Sequence, residues 1–272
     1  MAVEEVLRHS ASPDAQLQRS ISAPLKEIQF YNLSHFQSLI EKRIAQFGSA
    51  AILVAGPRRV GKTETSKALM TYAEGVLGRQ PTSRPMIFQV DWALHPRGSP
   101  QRSLGNPLEN FFHWDDLSNM LQQLVTAMKN GSTDVRLTGT YLRNMNGTTE
   151  SKRGGPWILR RTIHQPHPVV VVEGSFAHDP RVTEAFRQVT EPILTLFNTD
   201  PNIQEQRALM GTTRSKEDEK ALNDHDIREW QNYIRRHELA KNADIWTWSF
   251  TGNVVFYRNP FKIVKDTVGF LF

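Results

Sequence analysis

Ala50-Ala51-Ile52-Leu53-Val54-Ala55-Gly56-Pro57-Arg58-Arg59-Val60-Gly61-Lys62-Thr63-Glu64-Thr65-Ser66-Lys67-Ala68-Leu69-Met70 decides the fold. Its first six residues are an unbroken apolar run of strand length, and the residues from Glu64 onward have helical character. Between them lies G-x-x-x-x-G-K-T, in the strand-before, helix-after setting that this motif requires. Two glycines let the backbone wrap a chain of phosphates, so that N–H groups and the helix N-terminus face an anion. Gly56, Arg58, Arg59, Val60, Gly61, Lys62, Thr63 and Glu64 are therefore the expected nucleotide-phosphate contacts. Lys62 reaches the β- and γ-phosphates, and the Thr63 hydroxyl is offered to Mg²⁺. The expected ligand is a nucleoside triphosphate, taken here as ATP with Mg²⁺.

The whole chain sets limits around that loop. At 272 residues with 39% hydrophobic content, it can hold one α/β domain with additions. The absence of cysteine excludes disulfides, thiolate metal sites and a thiol nucleophile. A net charge of +5 suits anionic ligands. No long Lys/Arg block marks a nucleic-acid face, so nucleic acid is not an expected partner. No apolar run reaches the ~20 residues of a membrane span, and a cytoplasmic location is expected. Residues 1–24 mix Arg, Ser and Pro and read as a poorly ordered terminus, with Arg19 to Pro24 also having the form of a phosphosite. Residues 25–272 read as one domain.

Outward from the loop, Ser34 is expected to cap a helix that Gly48 stops, with Leu33, Phe36, Leu39, Ile40, Ile44 and Phe47 on one face. The loop's own helix should run to about Leu77. Met86 to Val90 reads as a strand ending at Asp91, and ligands in open α/β sheets sit beyond the carboxyl ends of strands. Asp91 there either accepts a proton from an acceptor hydroxyl or holds Mg²⁺, unless it only caps the next turn. A helix from Asp115 to about Lys129 follows. Val169-Val170-Val171-Val172-Glu173 reads as a strand covered on both faces, and a buried Glu at its end would be costly without a partner. Arg160 and Arg161, ending another strand, either meet an acidic substrate or face solvent. A helix over 226–239 and closing strands near Trp246 to Phe250 and Val254 to Tyr257 complete the pattern. The apolar tail, 268–272, should dock on the body or on a second subunit, so a homodimer is a candidate assembly. The order strand–loop–helix–strand–Asp, then an insert, then strand–Glu-Gly, points to a doubly wound parallel sheet.

Several segments resemble the uridine kinase, phosphoribulokinase and pantothenate kinase group of P-loop kinases. Asp91-Trp92-Ala93-Leu94-His95-Pro96 is similar to that group's Asp-x-x-x-His-Pro element. Asn110-Phe111-Phe112-His113-Trp114-Asp115 resembles its Asn-Phe-Asp-His-Pro-Asp segment, with Phe112 where the family has the Asp that contacts the acceptor sugar. Thr140-Tyr141 resembles the Val-Tyr of the acceptor hairpin, Glu173-Gly174 the Glu-Gly near the metal, and Ala243-Asp244-Ile245 the entry to the last core strand. The lid pattern is matched poorly: Arg207 keeps one position, Met210-Gly211 replace an Arg-Asp pair, and Arg214 and Lys216 fall near the last basic sites.

The resemblance implies a P-loop NTPase fold flanked by helices, with a substrate insert at about 131–162 and a lid at about 207–220. It implies a kinase passing a phosphoryl group from MgATP to a small-molecule hydroxyl of nucleoside, pantothenate or sugar type. Asp91, Lys62, Glu173 and Arg207 would be catalytic, and Thr63, Asp91 and Glu173 would hold the metal. His95, Phe112, His113, Tyr141 and Arg160 would line the acceptor site, with Arg214 and Lys216 in the lid. Two other readings stay open: an ATP-binding or hydrolysing module without acceptor chemistry, and a kinase acting on nucleic-acid ends.

Overall fold

The computed structural model describes residues 29–95, 99–102, 106–139, 157–199, 201–209, 215–249, 253–259 and 262. The described chain opens with β1 (Gln29–Tyr31) and α1 (Ser34–Phe47), then β2 (Ala50–Ala55), the glycine loop and α2 (Lys62–Val76). β3 (Ile87–Gln89), α3 (Trp114–Lys129) and the pair β4 (Asp134–Gly139) and β5 (Trp157–Thr162) follow. β6 (Val169–Glu173), α4 (Pro180–Arg187), β7 (Ile193–Thr199), α5 (Pro201–Leu209), α6 (Lys216–Arg236), α7 (Leu239–Asn242), β8 (Ile245–Ser249) and β9 (Asn253–Arg258) complete it.

Seven strands form one sheet in the order β1-β9-β8-β7-β2-β6-β3, while β4 and β5 make a separate antiparallel pair. β3, β6, β2, β7 and β8 are mutually parallel, β1 pairs parallel with β9, and among the described residues of this sheet the β8–β9 pairing is the antiparallel one. This is a mixed α/β fold with a mostly parallel sheet. The strand before the glycine loop, β2, lies inside the sheet between β7 and β6, where the chain order departs to either side. The carboxyl ends of β2, β6 and β3 therefore open at one place, the crevice where such sheets hold ligands.

Strand period assigns the core. Ala50, Ile52 and Val54 of β2, with Val169 and Val171 of β6, face α1 and α2 through Phe36, Ile40, Leu69, Met70 and Ala73. Ala51, Leu53, Ala55, Val170 and Val172 face the opposite layer, where Leu117, Leu121, Phe186 and Trp230 lie. Both faces of these strands are covered, which is why they read as continuous apolar runs rather than alternating ones. Each such Val or Ile contributes roughly 1.5–3 kcal/mol through burial, enough to fix the register beneath the loop.

Local chemistry moves several boundaries. Ser34 is the first helical residue of α1; Leu33 holds the N-cap place without a side-chain bond, and Gly48 closes the helix at φ 69°. Val90–Ala93 is a 3₁₀ turn, so β3 stops at Gln89 and Asp91 sits inside that turn. His113 caps α3, its Nδ1 accepting from the Asp116 amide at 3.2 Å. The expected helix over 226–239 begins ten residues earlier. Ser215 Oγ accepts from the Asp218 amide, and Glu217, Asp218 and Glu219 complement the dipole of the first turn. Residues 1–24, the tail 268–272, Tyr141 and Arg214 lie outside the described residues.

Candidate active site

The loop from Gly56 to Gly61 is shaped by tight neighbours. A Cβ on Gly56 would lie 2.8 Å from the Phe197 carbonyl oxygen and 2.9 Å from Phe197 Cβ, so only glycine lets the loop leave β2 against β7. Arg59 adopts φ 64° and Gly61 φ 90°, the reversal that turns the chain into α2. Loop carbonyls are taken up by side chains: Pro57 O by Lys62 Nζ at 2.6 Å, Arg58 O by Gln204 Nε2 at 2.7 Å, and Val60 O by Ser249 Oγ at 2.8 Å. The first amides of α2 have no intrahelical partner, and Gly61 gives them no side-chain cap. The dipole and these amides make this end a ready anion site.

Two side chains of that first turn point to the crevice. Thr63 Oγ1 donates to the Glu173 carboxylate, at 2.9 Å from Oε1 and 3.2 Å from Oε2. Lys62 folds back on its own loop, and burial lowers its pKa against the opposing pull of Glu173, Asp91 and Asp226. Glu64 points elsewhere, pairing with Lys67 at 2.8 Å on the helix surface.

Glu173 ends β6, opposite Val54 on one side and Gln89 on the other. It is 5% exposed. Burial raises its pKa to about 7; Asp91 pushes the same way, while Lys62 and the hydrogen bonds from Thr63 and Gln89 oppose. Next to it, Gly174 sits at φ 152°, where a Cβ would approach Val90 Cβ to 2.8 Å. The turn bearing Asp91 thus packs directly on the end of β6. A hydroxyl and two carboxylates are hard oxygen donors of the kind Mg²⁺ selects. Among the described residues no group of three or more His, Asp or Glu forms a metal cage.

The residues expected around an acceptor are brought together in part. Segment 93–95 pairs with 111–113: His95 N donates to Phe111 O at 2.8 Å and His113 N to Ala93 O at 2.6 Å. The His95 and His113 rings consequently meet at 5.4 Å. Burial, then His113 and Arg102, lower the His95 pKa, with Asp116 opposing. Phe112 is 5% exposed, packed against Phe176 at 5.0 Å and Trp114 at 5.5 Å. Its ring is core, continuous with Tyr233 through Phe176. On β5, Trp157 and Leu159 are buried, and the parity of the strand puts Arg161 on their face. Arg161 lies over the Trp92 ring at 5.9 Å, whereas Arg160 is exposed on the other face. Trp157, Ile158 and Leu159 are all apolar, so the sequence shows no alternation there, and the two arginines are separated only once β5 is paired with β4.

Arg207 belongs to α5, Lys216 is the exposed first residue of α6, and a set absent from the expected site stands beside the loop. Glu219 and Asp226 of α6 face Arg58, at 2.6 and 3.5 Å. Ser215, with the acidic run Glu217, Asp218 and Glu219 in the first turn, is the sequence signal for that helix. Among the described residues no helix is long and apolar enough to cross a membrane.

Neither a family model nor a curated protein matches the sequence. Among solved structures, the chain is similar to a possible uridine kinase from Bacillus stearothermophilus. The identity is 17% and the TM-score 0.45, over 78% of this chain and 96% of that one. It is also similar to the YGR205w protein, at 13% identity and a TM-score of 0.43, over 82% of this chain and 95% of that one. Likeness this remote carries no argument about chemistry, and the fold is read from the chain's own strands.

Proposed function

We propose that this chain is a small-molecule kinase that transfers the γ-phosphoryl group of MgATP to a hydroxyl of a nucleoside-, pantothenate- or sugar-like metabolite. One observation carries the reading: the Thr63 hydroxyl bonded to the buried Glu173 carboxylate, beside Lys62, at the head of a phosphate loop. A plain phosphate-binding loop has no need of a buried carboxylate next to its anion. A phosphoryl-transfer site does, to organise the cation and the attacking group.

Each role follows from chemistry. The Lys62 ammonium exchanges the Pro57 carbonyl for phosphate oxygens, replacing an ion–dipole contact by an ion pair. The amides of the loop and of the first turn of α2 take the remaining phosphate oxygens. Thr63 with Asp91 or Glu173 would hold magnesium, which when bound neutralises charge on the phosphate oxygens. Asp91, at the crevice edge, accepts the proton as the acceptor oxygen bonds to phosphorus and the bond to the ADP oxygen breaks. Arg207, Arg214 and Lys216 would cover the transferring group.

The burial of Phe112 in the aromatic core favours a second reading, an ATP-binding or hydrolysing module without acceptor chemistry. ADP release from MgATP, measured across nucleosides, pantothenate, sugars and sugar acids, separates the two. The kinase reading expects one class to raise ADP release about tenfold or more above the acceptor-free rate. Firm MgATP binding with no stimulation by any class favours the module.

A further inference from the structure

Arg58 occupies the loop, yet its guanidinium turns away to α6. Nη2 lies 2.6 Å from Glu219 Oε1 and Nη1 3.5 Å from Asp226 Oδ2. Glu219 is 1% exposed and stands 3.7 Å from Arg59 Nη2 as well. The backbone carbonyl of Arg58 accepts from Gln204 Nε2 of α5 at 2.7 Å. One loop residue is thus gripped at its side chain by one helix and at its backbone by another. A buried carboxylate stripped of its partner is costly, so the Arg58 guanidinium is held back from serving as a phosphate ligand. The contact is a tether.

We infer that Glu219 and Asp226 are positioning residues for the nucleotide site: acting through Arg58, they hold the phosphate loop in its receiving shape and tie its conformation to the seat of α6. The inference rests on the loop's being a nucleotide site and on no acceptor chemistry. Glu219 and Asp226 are two helical turns apart on one face of α6, so both reach one guanidinium only while the helix keeps its place. The coupling must then run both ways. A nucleotide that orders the loop steadies α6, and whatever steadies α6 tightens nucleotide binding.

Hydrogen exchange of the full chain, with and without saturating MgATP, tests this. In the wild type, nucleotide is expected to slow exchange about fivefold or more both in the loop and in the first half of α6. Arg58→Met keeps the apolar stem and cuts the tether. In that variant, loop protection persists at saturation, α6 protection is lost, and the nucleotide Kd rises about tenfold. Glu219→Gln weakens the tether from the other end, since a neutral amide oxygen replaces the carboxylate, and gives a smaller loss of α6 protection in the same direction. Should Arg58→Met not fold, Glu219→Gln decides alone. Equal α6 protection in wild type and variants overturns the inference and leaves the nucleotide site standing, as does nucleotide-bound wild type with α6 unchanged. A wild type that binds no MgATP overturns the reading of the loop, and this inference with it.

Discussion

The phosphate wall of the crevice and the segment around Phe112 are built from different materials. On the phosphate wall every feature is polar and specific: a loop with φ reversals at Arg59 and Gly61, carbonyls held by Lys62, Gln204 and Ser249, and Thr63 bonded to Glu173. By contrast, the segment that resembles the family's acceptor element carries Phe112 where the family has Asp, and its ring is packed against Trp114 and Phe176 and, through Phe176, joins Tyr233. Phosphate is one ligand with one geometry, and the backbone itself can recognise it. An acceptor is recognised by side chains, and those at Phe112 have been given over to packing. The difference shows where this chain is constrained by chemistry and where by its core.

The contrast breaks most visibly at Phe112. Phe112→Asp should destabilise the fold by about 4 kcal/mol or more, because a carboxylate replaces a ring in an aromatic core. Denaturant unfolding measures it, and a variant as stable as wild type would mean that the position faces a polar site after all. Gly56→Ala tests the phosphate wall. The added Cβ meets the Phe197 backbone at 2.8 Å, so a loss of about 1–3 kcal/mol is expected, with weakened nucleotide binding.

Glu173→Gln should act with the opposite sign on stability. The folded carboxyl has a pKa of about 7 against an ordinary 4.5. Between those values the folded chain keeps a proton that the unfolded chain has released, so this group's contribution falls as pH rises through the window. Gln removes that cost. The variant should be more stable than wild type by about 1–3 kcal/mol above pH 7, with the gain fading below pH 4.5, while phosphoryl transfer falls about 100-fold. Thermal unfolding at both pH values checks the sign. The smallest effect is expected at Arg160, whose exposed side chain should be replaceable by Ala within about 0.5 kcal/mol and without change in turnover. A clear loss of turnover there would return Arg160 to the acceptor site.

What the sequence disclosed follows the same division. The loop, the strand before it and the valine run ending at Glu173 are local patterns, each forced by backbone geometry or by burial on both faces. β1 is three residues long and owes its existence to β9, more than two hundred residues away, so no local pattern announces it. Arg161 could be separated from Arg160 only by the parity of β5 against its partner. The placement of Phe112 depends on Phe176 and, beyond it, Tyr233, from two distant segments. Glu219 and Asp226 read as ordinary charges of a solvated helix until α6 is seated on the loop, because pairing with Arg58 is a tertiary fact. The early start of α6 is written in Ser215 and its acidic first turn, whereas the apolar spacing begins only further on, at Ile227.

Transfer of label from γ-labelled ATP tests the central claim most directly, with organic product and free phosphate separated and Lys62→Ala as the blank. Lys62 holds the phosphates in this account, so its loss should lower transfer by about a thousandfold or more while the fold persists. Label appearing in an organic hydroxyl compound with wild type, and not with Lys62→Ala, is the predicted result. Label found only in inorganic phosphate, or transfer unaffected by Lys62→Ala, would contradict it.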